Sequence, residues 1–215
     1  MLSQAVEDYI KTIHKLQENG LVSTTELANE LNISGASVTG MLKRLATMGL
    51  VDYNSYKGVR LSESGSKIAS EIIRHHRLLE LYLKEMLGYS LDKVHEEACR
   101  LEHHISEEFA DKIDSLLGNP EFDPHGHPIP PKNGDIPKTL EKPLSMLEIG
   151  KDFTIKRLAD DDPEKLAFFE KMGFLPNTPF QIIDKAPFNG PISLKMDGKD
   201  IIIGNELATS IFVEV

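Results

Sequence analysis

The chain has 215 residues, enough for two domains or three small ones, and its 40% apolar content is ordinary for a folded protein with real cores. No apolar run approaches the roughly 18 residues of a membrane span. The N-terminal MLSQAVEDYI lacks signal-peptide form and one cysteine permits no intrachain disulfide, so a cytoplasmic protein is expected. The net charge of −10 excludes a generally basic surface, but it is uneven. Residues 1–77 carry about +1, residues 78–215 carry −11, and 34–60 carry +3, which confines any nucleic-acid face to the N-terminal third.

Residues 3–18 are amphipathic, with Val6, Tyr9, Ile10, Ile13 and Leu16 at helical spacing before Gly20. Ser23-Thr24-Thr25-Glu26 has the form of a capping box and opens a short helix through Leu31. Ser34 can cap a third helix over 35–47, with Val38, Met41, Leu42 and Leu45 facing inward and Gly49 at its stop. Val51-Asp52-Tyr53 and Val59-Arg60-Leu61, joined by a polar turn, read as a short hairpin.

Helix, short helix, tight turn, helix and hairpin make a winged helix-turn-helix. Its second helix would enter the major groove of duplex DNA with Ser34, Ser37 and Thr39 near base edges. Lys43 and Arg44 are placed for phosphates or bases, and Tyr56, Lys57 and Arg60 of the wing for backbone contact. The competing reading is a winged-helix module used only for protein contact.

A long helix is predicted from about Glu63 to Leu87, stopped by Gly88, and a second from Ser90 to Leu117. On the second, His95, Cys99, Glu102 and His103 recur at i, i+4, i+7 and i+8, one face over two turns and roughly 10 Å. Imidazole, thiol and carboxylate make a poor core stripe and a good site for a first-row divalent metal. Seven of the eight histidines fall between His75 and His127.

Residues 119–142 hold five prolines between Pro120 and Pro131, a turn-rich connector or a loose linker, and Asp123-Pro124-His125-Gly126-His127 adds potential ligands. From Pro143 onward short β-like runs at 153–155, 180–183, 192–194, 201–203 and 211–213 surround one helical segment, 163–172. A small five-stranded SH3-like barrel is the natural packing.

With these motifs in order, the chain resembles the diphtheria-toxin-repressor family of iron- and manganese-dependent transcriptional repressors over essentially its full length. The segment 93–103 (KVHEEACRLEH) is the most specific match. Next come His76-Arg77-Leu78-Leu79-Glu80 and Asp123-Pro124-His125-Gly126 followed by Pro128-Ile129-Pro130. Met172-Gly173-Phe174-Leu175-Pro176 and Asn189-Gly190-Pro191-Ile192 are similar to the SH3-like module of ferrous-iron-transport accessory proteins.

The resemblance implies a mainly α fold with small β parts. It has a winged-helix DNA-binding domain (1–62), a helical dimerisation and metal domain (63–118), a linker (119–142) and an SH3-like β-barrel (143–215). It implies a homodimer that binds a pseudo-palindromic DNA operator when metal-loaded and represses metal-uptake genes. It also implies a regulatory site of Asp8, Cys99, Glu102 and His103. A second site would hold His76, Glu80 and His95, completed by Asp123, His125 and an acid at Asp160, chosen from Asp160, Asp161 and Asp162. His75, His104, His14 and His127 are bystanders in this reading.

In the family, Asp at position 8 goes with manganese and Met with iron, whereas at position 99 Cys goes with iron and Glu with manganese. This chain carries Asp8 and Cys99, one of each. Hard carboxylates favour Mn(II) and thiolate favours Fe(II), so the expected cofactor is Mn(II) or Fe(II), two ions per chain, with a slight lean to Mn(II). Two other functions compete. One is a metalloenzyme, against which no general-base motif or phosphate loop is evident. The other is a helical interaction protein with a structural metal site.

Overall fold

A computed structural model describes residues 2–17, 20–137 and 139–214. Met1, Glu18, Asn19, Lys138 and Val215, which fall within segments assigned above, lie outside them. The chain divides into two units. One comprises Met1–His76, Leu101–Glu107 and Pro130–Ile136; the other comprises Arg77–Arg100, Glu108–Ile129 and Pro137–Val215.

In the first unit, α1 (Gln4–Leu16) buries Val6, Tyr9, Ile10 and Ile13, the stripe that its periodicity requires. α2 (Thr24–Glu30) opens on a complete capping box: Ser23 accepts from the Glu26 amide, and Glu26 accepts from the Ser23 amide at 2.8 Å. α3 (Gly35–Thr47) is capped by Ser34, which accepts from the Ser37 amide, and buries Val38, Leu42 and Leu45. β1 (Val51–Asn54) and β2 (Gly58–Leu61) form the antiparallel wing, and Val22 bridges to Val59. These elements share one apolar core with Leu50, Leu61, Ala69 and Ile72. α4 (Glu63–Leu87) begins here. Pro-rich chain docks on its first half: Arg74 donates to the Pro130 carbonyl at 3.1 Å, and Glu71 accepts from the Asn133 amide at 2.7 Å. Residues 130–136 are therefore an ordered connector.

The single helix expected from Ser90 to Leu117 is instead two, α5 (Val94–Leu101) and α6 (Glu107–Leu116). Glu102, His103 and His104 form a turn between them. Ser106 ahead of Glu107 is a local start signal for a second helix, and in the turn before it the side chains of Glu102 and His103 are held by α1. Glu107 and Glu108 then suit the positive start of a new helix.

In the second unit, the C-terminal half forms a six-stranded antiparallel sheet. Its strands are β3 (Glu141–Pro143), β4 (Asp152–Leu158), β5 (Pro179–Lys185), β6 (Ile192–Met196), β7 (Lys199–Ile203) and β8 (Ile211–Glu214), in the order β3-β8-β4-β5-β6-β7. Register shifts at Ile155/Arg157 and Ile182/Asp184 coil the sheet in the SH3-like manner. α7 (Pro163–Met172) starts with Pro at its first turn and ends on Gly173 at φ +80°, and α8 (Asn205–Ala208) precedes β8. Phe169, Phe174, Ile155, Ile182 and Leu194 centre the core, which also takes in Leu91. The sixth strand, β3, escapes sequence reading because Glu-Lys-Pro has no alternation, and β8 recruits it through backbone pairing at the sheet edge.

Candidate metal centre

In the first unit, Asp8, Glu102 and His103 each offer a donor atom, all within 4.8 Å of one another. α1 supplies Asp8, and the turn after α5 supplies the other two. His103 Nδ1 lies 2.6 Å from Glu7 Oε2. A carboxylate only accepts, so the Nδ1 side of the ring is the donor in this contact. That leaves Nε2 facing two more carboxylate oxygens, Asp8 Oδ1 at 3.0 Å and Glu102 Oε1 at 3.4 Å, without hydrogen-bond geometry. A ring nitrogen set among carboxylate oxygens is a place that a proton or a divalent cation can fill. The second ring N–H held by Glu7 is the usual outer partner of a metal-bound histidine. The donor set thus fits a first-row divalent ion.

Two basic side chains of the chain itself complete this cluster. Lys11 Nζ lies 2.9 and 2.8 Å from the two Glu102 oxygens, and His76 Nδ1 lies 2.5 Å from Glu102 Oε2. Burial pushes the Glu102 carboxyl up, but His76 and Lys11 outweigh it and hold it below its ordinary value. Burial raises the Asp8 carboxyl above its ordinary value, opposed by His103. His76, expected in the second site, is thus engaged with Glu102 in this structure. Cys99 belongs to the second unit, where its Sγ lies 3.6 Å from His95 Nε2.

The second unit gathers Glu80, His95, Asp123, His125 and Asp160. His95 Nδ1 lies 3.1 Å from Glu80 Oε1, and His125 Nδ1 lies 3.7 Å from Glu80 Oε2. His125 is fully buried; its Nε2 points to the Leu91 carbonyl at 3.3 Å, and its Nδ1 has no hydrogen bond. Burial works against protonating His125, but Glu80, Asp123 and Asp160 outweigh it and raise its pKa. Asp123 is oriented by its own loop, Oδ1 accepting from the His125 and His127 amides at 2.8 and 2.9 Å. Gly126 makes that loop possible. It sits at φ +94°, and a Cβ there would lie 2.0 Å from the Lys156 carbonyl oxygen.

The three consecutive acids separate by role. Asp162 caps α7, accepting from the Glu164 and Lys165 amides, and Asp161 is exposed. Asp160 approaches the cluster, 4.0 Å from His127 Nδ1. Burial raises the Asp160 carboxyl, but His127, His125 and His95 bring it below its ordinary value.

Sequence reasoning missed Lys11, Glu7 and His127. His127 Nδ1 is 3.4 Å from Asp123 Oδ2, while its Nε2 faces the Arg157 guanidinium at 3.4 Å, which turns the ring proton toward Asp123. The i, i+2, i+4 spacing of Asp123, His125 and His127 was the signal available. For Glu7 and Lys11 the signal was their place beside Asp8 on α1. A further group in the first unit, Glu71, His75 and Glu107, includes an exposed acid, with His75 Nε2 3.5 Å from Glu107.

Three family models match this chain in order. They are "Iron dependent repressor, N-terminal DNA binding domain" over residues 1–59, "Iron dependent repressor, metal binding and dimerisation domain" over 62–131, and the FeoA domain over 142–215. An uncharacterized HTH-type transcriptional regulator of Methanocaldococcus jannaschii, MJ0568, is 39% identical over 114 residues, 52% of this chain and 91% of that protein. The chain belongs to the iron-dependent repressor family. The diphtheria toxin repressor of Corynebacterium diphtheriae is 28% identical over 99% of this chain and 98% of its own length. A solved manganese-dependent transcriptional repressor in complex with manganese superimposes with a TM-score of 0.86 at 36% identity, covering 97% of this chain and 99% of that one.

As an iron-dependent repressor, the protein is a metal-dependent transcriptional regulator that binds DNA, and its family members are repressors rather than enzymes. On its DNA-binding domain, Ser34, Ser37, Lys43, Arg44, Tyr56, Lys57 and Arg60 are exposed and Thr39 is half-buried. Ser34 and Ser37 hydroxyls lie 2.9 Å apart, Thr39 bonds back to the Gly35 carbonyl, and Arg60 pairs with Asp52 at 3.1 Å. Among the described residues, Lys43 and Arg44 show no such pairing. Among the described residues, no helix is long and apolar enough to cross a membrane.

Proposed function

We propose that this repressor is a homodimer switched by Mn(II), with Fe(II) the alternative effector, and that it controls metal-uptake genes. The carrying observation is the convergence of Asp8, from the segment matching the DNA-binding domain, with Glu102 and His103, from the segment matching the metal and dimerisation domain. A divalent ion bound there offsets two negative charges and favours all three donors in one place. Asp8 then holds α1, and Glu102 and His103 hold the turn after α5, so the two matched segments are tied. In a dimer, that tie favours presenting two recognition helices about one DNA turn apart, roughly 34–36 Å. By reciprocity, operator DNA tightens metal binding by the same factor.

Glu80, His95, Asp123, His125 and Asp160 are proposed as the second metal set, with His127 orienting Asp123. Cys99, whose Sγ lies 3.6 Å from His95, and His76 are carried as ligand candidates from the family resemblance. Met86, Leu87, Phe109 and Leu116, exposed on helices of the second unit, support a self-association surface in the region matching the dimerisation domain. Asp8 and a manganese-bound relative support Mn(II), while Cys99 supports Fe(II).

The test is a DNA-binding titration of the full chain against buffered Mn(II) and Fe(II) under anaerobic conditions. Equal affinity with and without metal removes the switch. Replacing Lys43 and Arg44 together with Ala should weaken binding about tenfold or more and reduce the salt slope, without changing metal occupancy. Unchanged operator affinity removes α3 from the interface.

A further inference from the structure

We propose that Lys11 is a tethered cation that competes with the metal for Glu102 and so sets the metal concentration at which the repressor switches. This rests on the reading that Asp8, Glu102 and His103 hold the regulatory ion. Lys11 Nζ donates to both oxygens of Glu102, at 2.9 and 2.8 Å, and lies 3.1 Å from His76 Nδ1. The Glu102 side chain is 2% exposed, so no solvent competes for those oxygens, while Lys11 is 24% exposed and its stem has a way out. The ammonium stands where a cation satisfies the site, with one charge where a metal would bring two.

The two cations exclude each other. The Glu102 lone pairs that Lys11 uses are those a metal needs, and an ammonium within hydrogen-bond distance of a divalent ion's ligand repels that ion. Metal binding therefore requires two charge-assisted hydrogen bonds to break and the Lys11 head to swing toward solvent. The cost is the same for any divalent ion, so Lys11 sets the threshold of the switch and leaves metal preference to the other donors.

The experiment measures Mn(II) and Co(II) binding to the full-length protein, the first by electron paramagnetic resonance of free Mn(II), alongside amine labelling of Lys11 read by mass spectrometry. Lys11→Met should tighten both ions about tenfold or more, by similar factors, and Lys11→Arg should stay near wild type. In the wild type, Lys11 should label slowly without metal and faster with Mn(II). Lys11→Met with unchanged or weaker affinity, or shifts in one ion only, overturns the proposal. So does a wild-type labelling rate indifferent to Mn(II), which decides the matter even where Lys11→Met fails to fold. Glu102→Gln is the separating control. If it leaves high-affinity Mn(II) binding intact, the site assignment fails; if it abolishes binding while Lys11→Met has no effect, only the role of Lys11 fails.

Discussion

The two ligand clusters neutralise their acids by different means. In the first unit, Glu102 is faced by Lys11, a charge on a long flexible stem, together with His76. In the second unit, Glu80, Asp123 and Asp160 are faced mainly by imidazoles, His95 from α5 and His125 and His127 from a tight loop, with the Arg77 guanidinium 3.7 Å from Asp123 Oδ2. An ammonium is a donor only and must leave before a metal enters, whereas an imidazole can turn from counter-charge to ligand by losing a proton. On the proposed ligand sets, the first cluster exchanges its ammonium for the metal, whereas the imidazoles of the second lose protons instead.

Removing the centre of the first cluster should have the largest effect. Glu102→Ala strands Lys11 and His76 beside a buried gap and should destabilise the metal-free protein by about 3 kcal/mol, as broken buried ion pairs do. Urea denaturation reads that change, and loss of metal-dependent operator binding should accompany it. Stability unchanged from wild type would mean that the Lys11–Glu102 pair contributes nothing.

The second cluster should break through its backbone. Gly126→Ala meets both a positive φ and the Lys156 carbonyl oxygen, and we expect a loss of about 3 kcal/mol together with weaker second-site metal binding. Gly118→Ala, at φ +79° with nothing within 4 Å of the added Cβ, should cost only about 1 kcal/mol and leave metal binding alone. Equal effects of the two substitutions would show that the preassembled loop is unimportant.

In chelator, pH should separate the clusters by sign. Glu102 sits below its ordinary value, so its stabilisation is present above the normal carboxylate range and lost as pH falls through the depressed folded value. His125 sits above its ordinary value, so its stabilisation is complete below the normal imidazole range and lost as pH rises through the elevated folded value. Asp8, raised by burial, shares the sign of His125. Urea midpoints across pH should therefore lose their acid-side fall in Glu102→Gln and flatten on the neutral-to-basic side in His125→Asn. The same profile in both variants would contradict the assignment.

The smallest effect should distinguish neighbouring acids. Asp162→Ala removes the cap of α7 and should cost about 1 kcal/mol without altering second-site metal affinity. Asp160→Asn should do the reverse, and isothermal titration with Mn(II) checks both.

The sequence by itself determined the local elements. The Ser23–Glu26 capping box, the Ser34 cap, the apolar stripe of α1, the wing and the Pro163 and Gly173 limits of α7 all rest on interactions within a few residues. It also marked Glu102, His103, Asp123 and His125 as chemistry in unusual company, and the family resemblance added Asp8. Only the tertiary structure showed what meets Glu102 and His103 in the turn after α5, since their partners Glu7, Asp8 and Lys11 lie more than 90 residues away. It alone turned Lys11 onto Glu102, set Asp160 4.0 Å from His127 while Asp162 caps α7, and drew β3 to the edge of the sheet. Spacing along the chain places side chains on a face, but which charge meets which across space depends on packing that no local pattern records.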